Sequence, residues 1–234
     1  NMTMFYTAKD YSGASAGFDL DMEDVMVEKL IGLYPAIDTL VPMLRSFEGV
    51  VDCQVTATCK MDSTMSLKLP SLHSACYLHG ENMVLLDGET FTEISKTLMF
   101  KNKKRNVIDS ISVDLAIKDN KIEVFPFLVE MDRYKVAVGG THNLDMTFNY
   151  HLSVLKSPVP FKLGIDITGN LDDFKYKIVK CRYKDLFKPA KEAELDSTRT
   201  NVRKEIRESI RNQIKETAPE LVSSLSPNHT VTPP

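Results

Sequence analysis

The sequence predicts an α+β, β-dominated fold, in which an antiparallel meander of long amphipathic strands forms a curved sheet or partial barrel. Three observations support this prediction. Most of the chain alternates apolar and polar residues with a period of two, the runs are separated by short turn sequences, and helical patterns are few. The helical patterns comprise two amphipathic helices and a polar C-terminal helix.

Strand patterns recur along the whole chain. In each run the apolar residues occupy every second position, which is typical of a strand with one buried and one solvated face. An early run starts at Met2, and the clearest later runs are Val51–Cys59, Ile111–Ile117, Leu144–Val154 and Phe161–Ile167.

Short turn sequences separate these runs. They are Asp119-Asn120, Gly139-Gly140, Thr141-His142-Asn143, Ser157-Pro158-Val159-Pro160 and Gly169-Asn170-Leu171-Asp172-Asp173. Connections this short favour antiparallel neighbours, because a parallel crossover needs a dozen residues or more.

Two helices are predicted within the strand-rich region. An apolar stripe at helical spacing predicts the first over Asp24–Ser46, where Pro35 and Pro42 should split or kink it. A capping box formed by Thr90 and Glu93 predicts the second, which ends near Phe100.

The last part of the chain is polar and prone to form a helix. It carries a thin apolar row at Val202, Ile206, Ile210 and Ile214. We divide the chain into a β-rich domain over residues 1–188, a polar C-terminal helix over 189–217 and a disordered tail over 218–234.

Composition excludes some classes of function. Hydrophobic residues make up 43% of the 234 residues, charged residues 26%, and the net charge is −3. A chain so close to neutral does not suit nucleic acid as a main partner. The sequence contains no apolar run long enough to span a membrane and no signal peptide, and a strand pattern begins at once. We therefore expect a fragment of a longer protein.

The cysteines do not fix a cellular compartment. Cys53, Cys59, Cys76 and Cys181 form no CxxC pair, and Cys53 and Cys59 lie too far apart on one extended run to bridge each other. We expect buried free thiols, with a cross-strand disulfide as the alternative, and the sequence leaves their disulfide state open.

One weak catalytic motif is present. Gly13-Ala14-Ser15-Ala16-Gly17 matches GxSxG, but the nucleophile elbow needs a helix directly after the serine, and here strand alternation continues. We interpret the segment as a flexible hairpin turn. A serine hydrolase using Ser15 is a distant third hypothesis.

Other chemical signals are weaker still. The five histidines form no HExxH motif, with His142 expected in a turn and His151 on the polar face of its strand. Asp172-Asp173 is interpreted as a solvated turn, and Lys101–Arg105 as a helix end that could alternatively touch an anion. We therefore predict that the protein is not an enzyme and that it has no catalytic residue, no cofactor and no metal site.

The C-terminal helix carries arginines at every fourth position. Three interpretations stay open: a solvent-exposed helix laid over the end of the sheet, a helix that docks a partner helix, or a helix on an anionic membrane surface. In each case the residues available for surface or partner contact are Arg199, Arg203, Arg207 and Arg211.

The apolar strand faces are the remaining functional feature. They could form a closed core covered by helices or a second sheet, or an open curved sheet with an apolar groove that needs a hydrophobic partner.

From about Asp24 to Lys184 the order of features resembles the C-terminal region of the AsmA-like proteins of bacterial envelopes. The resemblance rests on an amphipathic helix leading into Phe47-Glu48-Gly49-Val50-Val51, and on four further stretches. These are Leu85-Leu86-Asp87-Gly88, Asp119–Phe127, Tyr134–Met146 and Phe161–Phe174. Asn120 and Phe174 depart from the family's usual glycine and proline.

The resemblance implies a periplasmic protein attached to the inner membrane by an N-terminal helix that is absent from this fragment. It also implies a non-enzymatic role in outer-membrane assembly, with phospholipid or another envelope lipid carried in a β-sheet groove, and other envelope proteins as partners. The lipid-facing positions would be apolar strand residues: Ile111, Val113, Leu115, Phe125, Phe127, Val136, Val138, Met146, Phe148, Tyr150 and Leu152. The alternative is a structural or protein-interaction module with a closed core.

Overall fold

The computed structural model describes residues 2–9, 13–33, 42–64, 66–85, 106–131, 134–158, 162–170 and 173–217. The predicted helix at Thr90–Phe100, the basic run Lys101–Arg105 and the tail after residue 217 lie outside these ranges. So do Pro35 and Asp172.

The described chain forms one open antiparallel sheet, as the fold class predicts. Its strands are β1 (Met2–Lys9), β2 (Gly13–Met26), β3 (Phe47–Glu48), β4 (Val50–Met61), β5 (His73–Leu85), β6 (Asn106–Lys118), β7 (Lys121–Met131), β8 (Tyr134–Asn143), β9 (Phe148–Lys156), β10 (Leu163–Gly169) and β11 (Phe174–Val179). The order is β1-β2-β4-β5-β6-β7-β8-β9-β10-β11, and the short β3 pairs with β5 off this path. The α+β, β-dominated meander is confirmed.

Two helices accompany the sheet in the described ranges. Helix α1 is Val27–Leu33, and helix α2 is Pro189–Thr217. Short 3-10 helices cover Pro42–Ser46 and Leu69–Ser71.

The first helical prediction is partly wrong. Asp24 to Met26 belong to β2 and not to a helix, and the register of β2 against β4 shifts between Met22 and Val25. Asp24 takes a positive φ of 54°, and its backbone N–H donates to Asp52 Oδ1 over 3.0 Å. The first residues with helical spacing therefore lie in a bulged part of β2, and α1 begins only at Val27.

The predicted turn at Gly139-Gly140 is also wrong, because β8 runs through both glycines. A Cβ on Gly140 would lie 2.4 Å from the carbonyl oxygen of Asn149 on the neighbouring strand. The glycine therefore permits a close approach of two strands, as glycine often does inside a sheet. His142, expected in a turn, is likewise a buried residue near the end of β8.

The turn lies four residues later than predicted, and β9 therefore also begins later than predicted. Met146 N–H donates to Asn143 O over 3.0 Å, and the backbone and hydroxyl of Thr147 donate to Asp145 Oδ1. Leu144 and Met146 lie in this turn, where Met146 has a φ of 69°, and β9 begins at Phe148. A strand starting at Leu144 was therefore a wrong prediction.

The hairpin between β6 and β7 agrees with its sequence. Asp119 and Asn120 both take positive φ values, 52° and 64°, in a two-residue connection. Such a turn suits the right-handed twist of the strands that it joins, and Asp and Asn tolerate it well.

The Gly13–Gly17 segment is not a turn. It is the first part of β2, where Ser15 lies opposite Thr7 of β1 and Lys60 of β4. The expected flexible hairpin is therefore wrong, and the strand-to-helix elbow that a serine nucleophile requires does not occur at this position.

Candidate functional site

One face of the sheet is apolar across most of its width. Leu78 of β5 lies opposite Val113 of β6, Phe127 of β7 opposite Val138 of β8, and Val138 also opposite Leu152 of β9. Nine of the eleven positions predicted to face a lipid share this face: Ile111, Val113, Leu115, Phe127, Val136, Val138, Phe148, Tyr150 and Leu152.

The other two predicted positions lie elsewhere. Met146 occupies the turn before β9, so it is not a strand residue at all. Phe125 lies where the β7–β8 register shifts between Val124 and Phe127, and this irregularity takes it out of the regular alternation.

The two ends of the apolar face are closely packed. At one end, Val27 and Leu30 of α1 pack with a buried cluster that includes Val51, Ile111 and Met131. At the other end, a second cluster is formed by Leu115, Ile117, Ile122, Val124 and Tyr150, and Leu72 and Leu144 pack against it. Both clusters are ordinary hydrophobic core.

Between the clusters runs a row of half-buried apolar side chains, which we call the central belt. It takes one residue from each of six neighbouring strands, β4 to β9: Val55, Cys76, Val113, Phe127, Val138 and Leu152. At the usual strand separation, six strands span roughly 24 Å. The belt is thus an apolar row across the strands, with a step of two residues between Cys76 and Val113, and its side chains are only partly covered.

Cys76 in the belt is an unreactive thiol. A hydrogen bond with Cys53 of the neighbouring strand and then burial raise the pKa of Cys76 well above its ordinary value. Since the thiolate is the reactive form, the two cysteines act here as small apolar side chains. All four cysteines are free, as expected, but only Cys53 and Cys59 are buried, whereas Cys76 and Cys181 are half-buried.

The opposite face of the sheet is polar and carries α2. Arg199, Arg203, Arg207 and Arg211, which we call the arginine ladder, all point from α2 to this face. Arg199 donates to the carbonyl oxygen of Pro126 on β7, and Arg203 Nη1 donates to Asp114 Oδ1 on β6 over 2.8 Å. The Arg203 guanidinium also lies 4.3 Å above the ring of Tyr77 on β5.

The far end of the ladder converges on β2. Arg207 Nε donates to Asp19 Oδ1 over 2.9 Å, and Arg207 Nη2 donates to Asp21 Oδ2 over 2.6 Å. Arg211 Nε donates to Asp19 Oδ2 over 2.6 Å. The ladder therefore binds the sheet of the same chain. This contact agrees with the first of the three interpretations, in which the helix is laid over the end of the sheet.

Asp19 is the most heavily bonded carboxylate of the ladder. Burial alone would raise its pKa, but hydrogen bonds from Thr56, Arg207 and Arg211 outweigh burial and hold the pKa of Asp19 below its ordinary value. Asp114 behaves in the opposite way, because burial raises its pKa and Arg203 and Arg199 offset this only in part. The carboxylate pKa is thus lowered at the β2 end of the ladder and raised at β6.

A second polar network joins β9 and β10 to the segment after β11. His151 is 3% exposed, and its Nδ1 lies 2.6 Å from Asp166 Oδ1, while its Nε2 lies 2.9 Å from Ser153 Oγ and accepts from the Arg182 backbone N–H over 3.2 Å. Ser153 Oγ in turn accepts from the backbone N–H of Tyr183.

Ser153, His151 and Asp166 are connected by hydrogen bonds in the same way as a catalytic triad, but the serine is not accessible. Ser153 has 0% exposure, and its oxygen already holds a backbone N–H. A nucleophile must reach its substrate, so we assign the network a structural role, which is to fasten residues 182 and 183 onto the sheet.

A cavity of about 490 Å³ lies between the start of α2 and the polar face of β5 to β7. Five carboxylates line it and outnumber the two arginines: Asp109, Asp114, Glu130, Glu192 and Asp196 against Arg199 and Arg203. An acidic lining does not suit an apolar ligand, so the central belt, and not this cavity, is the candidate binding surface.

In the described ranges, no cluster of three or more histidine, cysteine or acidic side chains is arranged to hold a metal ion. Nor is any of the described helices both long enough and apolar enough to cross a bilayer.

Sequence reasoning missed two parts of this arrangement. It did not single out Val55 and Cys76 as belt residues, although both fall on the apolar side of strand alternation. It also missed Asp19 and Asp114 as partners of the ladder. The available signal was an acidic residue on the polar side of a strand together with four arginines on one helix face.

No protein-family model matches the chain, and no match was found among curated proteins or among solved structures. The function of the chain therefore has to be inferred from its own sequence and from the contacts described above.

Proposed function

We propose that this protein is a non-enzymatic module of the bacterial cell envelope that binds the acyl chain of a phospholipid across the central belt. The observation that carries the proposal is the half-buried belt itself. Six adjacent strands each contribute an apolar side chain that is neither fully packed nor fully solvated.

The dimensions of the belt support a chain-like apolar ligand. A strip of roughly 24 Å matches a long, thin molecule better than a compact one. Burial of apolar surface contributes about 25 cal/mol per Å² removed from water, so a partly exposed strip of this length offers a sizeable driving force. The clusters at both strand ends would keep the ligand in the middle of the face.

The resemblance to AsmA-like proteins supplies the biological setting of the proposal. It suggests a periplasmic location, attachment to the inner membrane and a part in outer-membrane assembly through lipid transport. The phospholipid is therefore proposed as cargo or bound ligand, without any chemical change at the belt.

The competing function is a structural or protein-interaction module with a closed core. The fully packed members of the same face favour it, since Ile111, Leu115 and Val136 are 5–8% exposed. The two functions differ in what the belt does, because a closed core leaves no space for a lipid.

Native mass spectrometry separates the two functions. Delipidated protein is incubated with vesicles of phosphatidylethanolamine and phosphatidylglycerol, and its mass is then measured. We expect a phospholipid adduct on the wild type and its loss in Val138→Trp, whose indole fills the middle of the belt. Leu67→Trp is the control, since Leu67 is exposed outside the belt, and it should retain the adduct.

A wild-type protein that takes up no phospholipid would support the closed core and refute lipid binding. Equal adducts in the wild type and both variants would show that lipid binds somewhere other than the belt. Circular dichroism verifies that Val138→Trp keeps its sheet, because overpacking costs about 1–3 kcal/mol.

A further inference from the structure

Among the residues that the structure describes, the last strand of the sheet has an open edge. In the described ranges β11 pairs with β10 alone, from Gly164 opposite Val179 to Gly169 opposite Phe174. The outer side of an edge strand presents backbone N–H and C=O groups that another extended chain can use.

The apolar side of β11 is exposed. Tyr176 lies opposite Ile167 and Ile178 opposite Ile165, so both continue the apolar face of the sheet to its edge. Tyr176 is 47% exposed and Ile178 is 60% exposed, whereas Ile165 and Ile167 are buried. An added strand would cover both side chains.

The other side of β11 is basic. Lys175 lies opposite Thr168, and Lys177 lies opposite Asp166. Both lysines are exposed. The charge of Asp166 is already engaged by Arg182 and by His151, so this carboxylate does not neutralise the edge.

These charges oppose pairing between two copies of β11. In an antiparallel pair of identical strands the lysines of both copies would occupy the same face, and like charges opposite each other are destabilising. Lysines on an edge strand commonly protect a sheet from such self-association. The same charges favour a strand that carries carboxylates at alternate positions.

We propose that β11 is a docking edge for an extended segment of a partner protein in which acidic and apolar residues alternate. The carboxylates of the segment pair with Lys175 and Lys177, its apolar residues cover Tyr176 and Ile178, and its backbone adds one strand to the sheet. This interaction is separate from lipid binding at the belt, and either can exist without the other.

Two synthetic peptides of equal length test the proposal. One alternates glutamate with valine, and the other alternates lysine with valine. Fluorescence anisotropy measures their affinities for the whole chain, and amide hydrogen exchange locates the contact. We expect the acidic peptide to bind more tightly, to protect amides of β11 and to weaken as salt is raised.

A charge-reversed variant makes the test specific. Lys175→Glu/Lys177→Glu should weaken binding of the acidic peptide about tenfold and strengthen binding of the basic peptide. Both lysines are exposed, so the fold should persist, which circular dichroism checks. Equal binding of the two peptides, protection outside β11, or a concentration-dependent dimer of the wild type through β11 would overturn the proposal.

Discussion

Asp19 is the residue on which the C-terminal half of the arginine ladder depends. It is 9% exposed and receives hydrogen bonds from Thr56, Arg207 and Arg211. Removing the charge of Asp19 would take away the described carboxylate partner of Arg211 and leave Arg207 with Asp21 alone. Loss of a buried counter-charge is far more costly than the loss of a surface ion pair.

We therefore expect Asp19→Asn to lower the free energy of unfolding by about 3 kcal/mol. Asp21→Asn is the matched control, since Asp21 is 37% exposed and bonds to the same Arg207. Its effect should stay below about 1 kcal/mol. Urea denaturation at neutral pH measures both, and equal losses would contradict the role assigned to Asp19.

The pKa shifts predict how acid acts on the ladder. The folded pKa of Asp19 lies below the ordinary value of 3.8, so its contribution to stability is present above pH 3.8 and is lost as the pH falls through the folded pKa. The raised pKa of Asp114 has the opposite sign, because protonation of Asp114 favours the folded state.

Below pH 3.8 the stability of the wild type should thus fall more steeply than that of Asp19→Asn. The stabilisation from protonation of Asp114 is gained above pH 3.8, as the pH falls through the raised folded pKa, and Asp114→Asn should lack this gain. Denaturant titrations at a series of acidic pH values measure these slopes. Parallel curves for all three proteins would contradict the assignment of the two carboxylates.

The hydrogen bonds of His151 fix its tautomer. Its Nε2 accepts a backbone N–H from Arg182, so the proton must lie on Nδ1 and be donated to Asp166. We expect NMR of the imidazole nitrogens to show a neutral ring with Nδ1 protonated. His151→Phe should destabilise the protein by about 2–3 kcal/mol, because Asp166 and Ser153 lose their buried partner. An Nε2-protonated ring would contradict the network.

At the level of elements, the length of the arginine row on α2 matches the width of the part of the sheet that it crosses. Arg199 to Arg211 spans twelve residues, or roughly 18 Å of helix, and β7 to β2 spans four strand separations, or roughly 19 Å. Arg199 therefore reaches β7 and Arg203 reaches β6, while Arg207 and Arg211 both reach Asp19 on β2. In the described residues the helix also has an apolar cluster, formed by Ile210 and its neighbour Ile206.

The apolar anchorage of α2 can be tested with two isoleucines. Ile210 has 0% exposure and Ile206 is half-buried. We expect Ile210→Ala to cost about 3 kcal/mol and Ile206→Ala clearly less, because the cost rises with the cavity that remains. Hydrogen exchange of α2 amides should speed up in Ile210→Ala. Unchanged exchange would mean that the arginines alone hold the helix.

The elements also show how far the sequence could predict this fold. Strict alternation located β6 from Ile111 to Ile117, and the pair Asp119-Asn120 located the following hairpin. Prediction failed at Asp24 and at Met146, where one residue in a left-handed conformation ends the regular pattern. Such positions depend on contacts with another strand or turn, for example Asp24 with Asp52, and a local pattern does not contain them.

At the scale of the whole molecule, the sheet uses its two faces differently. The polar face is engaged by the ladder and by the His151 network. The apolar face holds three packed clusters in the described residues, and members of the belt pack against each of them. The four-residue spacing of the arginines could be recognised in the sequence. Their partners were not, because Asp19 and Arg211 are 192 positions apart and only the completed sheet brings them together.

The proposed lipid site has the same dependence on long-range structure. Each belt residue could be assigned to the apolar side of its own strand, but the belt exists only because the strand order from β4 to β9 brings six such residues onto one face. Alternation also does not reveal which apolar positions stay half-exposed, since Val136 is buried and Val138, two residues later, is not.

The most direct measurement is site-specific photo-crosslinking with benzoylphenylalanine at two half-buried phenylalanines on opposite faces of the sheet. Phe127 lies in the belt, and Phe187 lines the polar cavity beneath α2. After incubation with vesicles of phosphatidylethanolamine and phosphatidylglycerol, lipid binding at the belt predicts a phospholipid adduct at position 127 and none at position 187. No adduct at position 127, or equal adducts at both positions, would contradict it.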